Sequence, residues 1–432
     1  MRRLSATSVY LRMEAIDGLL YYMWGVAFSP YLILEAGLNP FRLLVLGTVL
    51  EVTVLLCEVP TGVVADTFSR RASIVFSYFI QGTGFLLLGL TTSFPLIALS
   101  QVMWGLGYTF KSGADVAWIT DEIGERTAAP LYVRAAQGWQ GAAVIGIVIG
   151  TALLTFDLGL AISISGALQI LMGVWLIFAM PETRRRPERE EGASIRGSTA
   201  TTLKKGWSVV RLHPVLLLIF AVVAFDGLSS EGLDRLFALH FIEDIGFPSL
   251  GGLDRAIWWG IIDGGGLILA IGAGEYVRRR IDLTSHREAG RSLAIIYIAI
   301  MLGIVGFGLS SAFALALASF WAVALLREVA DPILTAWVNQ GLDSESRATV
   351  NSMSSQVGAL GEAVGGISLG AFATARGTPA TLVLTGLLRA PALLLFARAL
   401  RKGSVGTLPP DEIEPVAVEP GKIETPGVDH PE

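Results

Sequence analysis

Cysteine is nearly absent. A single Cys57 leaves no disulfide and no cysteine-based metal centre possible within the 432-residue chain. Histidine is scarce too: His213, His240, His286 and His430 lie far apart in sequence and form no cluster, and no loop holds a nucleophile beside a partner base. No Gly-Lys-Ser/Thr turn is present to cradle phosphates, which argues against ATP as the energy source. Charge is the largest deficit. Asp, Glu, Lys and Arg make up 16% of the residues while 53% are hydrophobic; a soluble domain carries about 25% charged residues. Such a chain is an integral membrane protein, with the lipid bilayer as its surroundings and no nucleic acid among its expected partners. The net charge of −5 matters less than where the charges fall.

What is abundant is long apolar runs. Twelve stretches, 8–34, 40–64, 72–92, 95–120, 132–155, 160–180, 214–242, 255–277, 292–312, 314–340, 349–374 and 379–399, are long enough to cross the bilayer. Helices are expected throughout, because lipid satisfies no open backbone group. The start, Met1-Arg2-Arg3, runs into a charged spanning segment without a small-residue cleavage site, so no cleaved signal is expected. Loops after the even-numbered spans and both termini, counted with the span ends that flank them, hold 24 of the 32 Lys and Arg, and the opposite side, counted the same way, holds only Arg42, Arg255 and Arg376. Both termini are therefore expected in the cytoplasm. The polar break 181–213 divides the chain into two bundles of six spans, 1–180 and 214–402. The Pro- and acid-rich tail 403–432 reads as disordered.

The halves look related. Asp66 with Arg70-Arg71 is matched by Glu275 with Arg278-Arg279-Arg280, Ala117-Trp118 by Ala336-Trp337, and Arg134-Ala135 by Arg347-Ala348. Near-constant offsets suggest a parallel six-helix repeat with a site between the halves near the midplane.

Ionisable residues at membrane depth are the sharpest signal. Asp17, Glu51, Lys111, Asp226, Asp263, Arg327 and Glu362 sit in spans 1, 2, 4, 7, 8, 10 and 11, whereas spans 3, 6 and 9 carry none. A charge near the bilayer centre costs roughly 2.5–3.5 kcal/mol, so it faces a protein interior or a wet cavity. Every third span is therefore expected at the periphery, around a polar centre formed by the others. Arg389 in the twelfth span breaks this rule, and pairing inward or snorkelling would each account for it.

Several of these residues invite roles. Glu14 and Asp17 share a helix face, and Asp17 and Asp226 occupy equivalent depths in the two halves. A desolvated carboxylate takes up a proton readily, which makes Asp17, Asp226, Glu14, Glu51, Asp263 and Glu362 candidates for proton coupling; a structural ion pair is the alternative. Lys111 with Asp115, and Arg327 with Asp331, are spaced four apart as intrahelical pairs, or their bases neutralise acids on facing helices. Glu231, Asp234 and Arg235, toward the outer end of the seventh span, read as a solvated mouth. Many acids and few bases suit a cationic or amphipathic substrate, and Tyr21, Tyr22, Trp24, Trp104, Trp118, Trp258 and Trp259 are placed to stack on it, with lipid-facing placement as the alternative.

The segment from Glu58, Glu-Val-Pro-Thr-Gly62-Val-Val-Ala-Asp66-Thr-Phe-Ser-Arg70-Arg71, resembles the loop motif between the second and third helices of the major facilitator superfamily, departing from it at Thr67 and Ser69. With Ser112–Trp118 and Arg347-Ala348-Thr349-Val350, it is similar to the drug/proton antiporter branch that contains bacterial tetracycline and macrolide efflux pumps. The resemblance in layout spans 8–400. It implies an all-α fold of twelve transmembrane helices in two pseudo-symmetric six-helix bundles. It further implies a conformational clamp at Gly62, Asp66, Arg70 and Arg71 that holds the halves together on the cytoplasmic side. Two departures stand out. Gln101 lies where many drug antiporters carry Arg, and Gly146 is followed by Ile147 rather than Pro. Together these readings predict a proton-coupled exporter of drugs or small amphipathic or cationic metabolites. It would be a monomer in a bacterial-type plasma membrane, driven by the proton gradient, with no metal or other cofactor and no catalysis. A proton-coupled importer of a small nutrient, and more remotely a membrane-bound transferase, are the alternatives.

Overall fold

The computed structural model describes residues 4–182, 214–249, 251–252, 254–280, 285–340, 342 and 344–402. The linker 181–213 (beyond Glu182) and the tail 403–432 lie outside the described residues, as do the side chains of Glu275 and Arg278–Arg280. The fold is all helix. In order come α1 (Ala6–Pro30), α2 (Pro40–Thr67), α3 (Arg70–Gly89), α4 (Phe94–Lys111), α5 (Ala114–Ile123), α6 (Glu125–Leu154), α7 (Leu160–Ala179), α8 (Pro214–Leu239), α9 (Ile257–Arg280), α10 (His286–Gly308), α11 (Phe313–Val338), α12 (Ser344–Arg376), α13 (Thr378–Leu387) and α14 (Ala390–Lys402).

These helices account for all twelve expected spans, with two corrections. The fourth span is broken at Ser112-Gly113, because Gly113 takes a left-handed backbone (φ 72°) before α5 begins. The twelfth is broken at Leu388-Arg389. Among the described residues, nine helices are long and apolar enough to cross a membrane. The first and fourth spans, which carry Asp17 and Lys111, are missing from that nine; polar side chains lower their mean hydropathy. The eighth is represented by the shorter apolar stretch Ile257–Gly272. The pseudo-symmetry is visible in detail. α1 ends in a π-helical turn, Tyr31–Glu35, and α8 ends in another, His240–Ile245. Trp118 and Trp337 are both fully buried.

Within the first half, α1 lies along α6, and α3 packs on α4 and α7; in the second, α12 lies along α8 and α11 along α10. The halves meet through α2 with α12 and α6 with α9. These meetings are concentrated at one side, away from the face where α1 begins. Thr48 donates to the Ala363 carbonyl at 3.2 Å, and Gly366 lies so close to Thr48 and Leu44 that a Cβ would clash. Ala143 and Ile147 of α6 pack with Leu267 of α9. Toward the face where α1 begins, here the terminal face, the same α2 and α12 are separated by a cavity of about 750 Å³ reaching from Leu50 to Glu58 and from Ser354 to Glu362. The two bundles form a V, closed at the opposite face.

Candidate functional site

Three cavities of about 530, 480 and 750 Å³ adjoin at Trp104, which lines all of them; the first is walled by the N-terminal half and the other two by both halves. Tyr21 lines the first two. Four groups of ionisable residues lie in the two bundles, and the first, third and fourth contribute residues to the cavity walls.

The first group sits in the N-terminal half. Lys111, at the end of α4, ion-pairs with Asp17 of α1 and lies 3.8 Å from Glu14 and 3.7 Å from Asp115. Tyr78 of α3 places its hydroxyl 2.7 Å from both Asp17 oxygens. The break at Gly113 puts Lys111 and Asp115 on different helices, so they are not the intrahelical pair expected; the main partner of Lys111 is the facing α1.

The second group is its counterpart. Asp226 of α8 ion-pairs with Arg389, which is buried, donates to the Ser229 hydroxyl at 3.1 Å and lies 5.4 Å from the Tyr297 ring centre. Arg389 therefore pairs inward. It can do so because the twelfth span breaks beside it. The third spans of each half carry no charge, yet each lends a tyrosine here: Tyr78 and Tyr297 are separated by the same 219 positions as Trp118 and Trp337. The sequence reading omits both tyrosines, although that shared offset marks them.

The third group joins the halves. Glu51 of α2, Glu231 of α8 and Glu362 of α12 each place a carboxylate oxygen within 4.8 Å of the others. Glu231 is buried and accepts from Arg235 at 3.2 Å. The expected solvated mouth is thus a packed interior, because α8 turns this face toward α2 rather than toward water: Gly47 of α2 lies directly against Glu231 and Arg235. Among the described residues, no base is ion-paired with Glu51 or Glu362.

The fourth group lies on α8, α9 and α11. Arg327 forks onto Asp234 at 2.5 and 2.9 Å. No ion pair joins it to Asp331 among the described residues, which corrects the expected intrahelical pair. A facing carboxylate accepts both nitrogens of the planar guanidinium. Asp331 and Asp263 line the cavity.

Not every aromatic faces the cavity. Trp118 is in the core and donates to the Pro181 carbonyl at 2.8 Å, Trp259 is also in the core, and Trp258 is tied to Pro248 at 2.9 Å. Gln101 is fully buried within the first half. At the terminal face Arg70 bonds Asp121 at 2.5 Å, the Ala117 carbonyl at 2.9 Å and Asp66 at 3.3 Å, and Arg71 bonds the Ile177 carbonyl. Gly62 lies one turn before Asp66 with open space beside it. Among the described residues, all these partners of Arg70 and Arg71 belong to the N-terminal half.

Two bundles, a polar centre between them and a cavity open at one face are matched by the family to which the sequence aligns. Residues 13–366 match the family described as Major Facilitator Superfamily. The chain belongs to the major facilitator superfamily. It is 21% identical over 392 residues to the MFS-type transporter YxaM of Bacillus subtilis (strain 168), covering 90% of this chain and 94% of that one. Among solved structures, a mutant of the nucleoside transporter NupG superposes with a TM-score of 0.74 at 12% identity, covering 91% of this chain and all of that one. An inward-facing bacterial homologue of the human lysosomal transporter Spinster gives 0.68 at 15%, covering 92% and 97%. A mutant of the peptide transporter POT bound to alafosfalin also gives 0.68, at 14%, covering 91% and 93%. These likenesses establish the twelve-helix fold. With the family match, they make the chain a multi-pass membrane transporter of the secondary type.

Proposed function

We propose that this transporter is a proton-coupled exporter of drugs or small amphipathic or cationic metabolites, akin to the drug/proton antiporters. The observation that carries the coupling is Glu51 facing Glu362 across the junction of the halves, within 4.8 Å and with no ion-paired base among the described residues. Two ionised carboxylates this close repel each other, and a proton held between them removes the repulsion. Closing α2 onto α12 at the opposite face then favours a protonated pair, and opening favours its release. Lys111, with Glu14, Asp17 and Asp115 around it, supplies a second group whose partners can exchange when substrate or a proton arrives.

The Lys and Arg distribution supports a terminal face and both termini in the cytoplasm of a bacterial-type plasma membrane. In that orientation the V is open to the cytoplasm, the loading state of an exporter. The protein acts as a monomer, with the proton gradient in place of a cofactor. A second reading, import of a small nutrient, is favoured by Ile147 after Gly146 and by fold neighbours that are nucleoside and peptide transporters.

Everted membrane vesicles separate the two. An exporter accumulates labelled cationic drug inside everted vesicles when their lumen is acid, and the accumulation collapses when the pH gradient is dissipated. Nutrient loss from preloaded everted vesicles, with no drug accumulation, would make it an importer.

A further inference from the structure

The pairings described above leave Asp263, which shares its cavity with Tyr21 and Tyr22, without a partner among the described residues. Asp263 of α9 lines the 480 Å³ cavity and has no hydrogen bond or ion pair with any described residue. Its neighbours in that cavity are already committed or acidic. Arg327 is forked onto Asp234, Arg235 is bound to Glu231, and Glu328 and Asp331 add negative charge. The backbone around Asp263 is pinned. Gly264 packs on Ile147 of α6, and Leu267, one turn on, joins Ala143 and Ile147 in a cluster that also touches Tyr22 and Trp139. This segment of α9 is therefore packed against the first half, and the residues of α1 that line the cavity with Asp263 include Tyr21 and Tyr22. Tyr22 contacts Tyr21 and Trp139 edge to face, each at 5.4 Å between ring centres, and Tyr21 contacts Trp139 at 6.1 Å.

A membrane interior does not tolerate an uncompensated carboxylate well. A proton would neutralise it but would make no use of the two tyrosine rings that line the same cavity. A ligand cation uses both: charge against the carboxylate, and ring quadrupoles around the rest of its head group. The remaining wall suits an apolar body, with Trp24, Phe28, Phe237 and Phe320 along it, and the volume lies in the range of a drug-sized ligand.

We propose that Asp263, with Tyr21 and Tyr22 lining the same cavity, is the head-group site for a lipophilic organic cation, and that this site selects the substrate class. The proposal rests on the transport reading above and deepens it: Asp263 belongs to substrate recognition rather than to proton carriage.

Equilibrium binding to the purified protein in lipid nanodiscs tests this without any transport step. Tetraphenylphosphonium and tetraphenylborate are nearly the same size and shape and carry opposite permanent charges. Wild type is expected to bind the phosphonium and not the borate. Asp263→Asn should weaken phosphonium binding about tenfold, Asp263→Glu should keep most of it, and Tyr22→Leu should weaken it about threefold. If Asp263→Asn does not fold, the Tyr21→Leu/Tyr22→Leu double variant reads the same site. Equal binding of both ions, phosphonium binding untouched in Asp263→Asn, or no phosphonium binding by wild type would each overturn the proposal. Failure of the export reading looks different: the phosphonium would bind through Asp263 while the everted vesicles accumulate nothing.

Discussion

Arg389 shows how far a single residue can be read from composition alone. A lone Arg in an apolar twelfth span has two outlets, water at the interface or a partner inside, and the sequence does not choose between them. The structure chooses the partner, Asp226, with Ser229 and the Tyr297 ring completing the site. Removing the base would strand a partly buried carboxylate. Arg389→Met is expected to cost about 3 kcal/mol, near the low end for a broken buried pair because Asp226 is one-third exposed. The double variant Arg389→Met/Asp226→Leu should recover most of that loss; thermal melting in detergent measures both. The same reasoning separates Asp226 from Asp17. The two are legible in the sequence as equivalent carboxylates, and their positions in the two halves do correspond. Their partners are not legible, because Lys111 and Arg389 come from spans that do not correspond in the repeat.

At the scale of the element, spans are readable from apolar length and orientation from Lys and Arg, but helix breaks are not. The fourth span carries a Ser-Gly pair that periodicity passes over, and the left-handed Gly113 there decides where Asp115 points. No atom crowds a side chain added at Gly113, so only the backbone term is at stake. Gly113→Ala should therefore cost about 1 kcal/mol and weaken the Lys111–Asp115 contact, seen as a lower melting temperature with the fold retained. The seventh span misleads for a related reason. Glu231, Asp234 and Arg235 look like a wet mouth in a linear sequence, and the close approach of α2 at Gly47 reveals Glu231 and Arg235 as packed, while Asp234 lines the cavity. Charges chosen for a facing helix cannot be told from charges chosen for water when one helix is read alone.

At the scale of the whole molecule, the two bundles close on one side through Thr48, Ala363 and Gly366 and part on the other around Glu51 and Glu362. The repeat makes a site between the halves legible. Which side is closed depends on how two rigid bundles meet, and no local pattern encodes it. Since a shared proton relieves the Glu51–Glu362 repulsion, acid should favour the closed opposite face. Spin labels placed at the α2 and α12 ends on that face should move closer as pH falls. In Glu51→Gln/Glu362→Gln that distance should stay short at every pH.

Proton movement during transport tests the coupling claim most directly. Purified protein in liposomes containing a pH-sensitive dye would be given a gradient of a cationic drug. Wild type is expected to move protons against the drug flux. Glu362→Gln should still exchange labelled drug for unlabelled drug but move no protons. Proton flux of wild-type size in Glu362→Gln, or drug flux in wild type with no proton movement, would contradict the account.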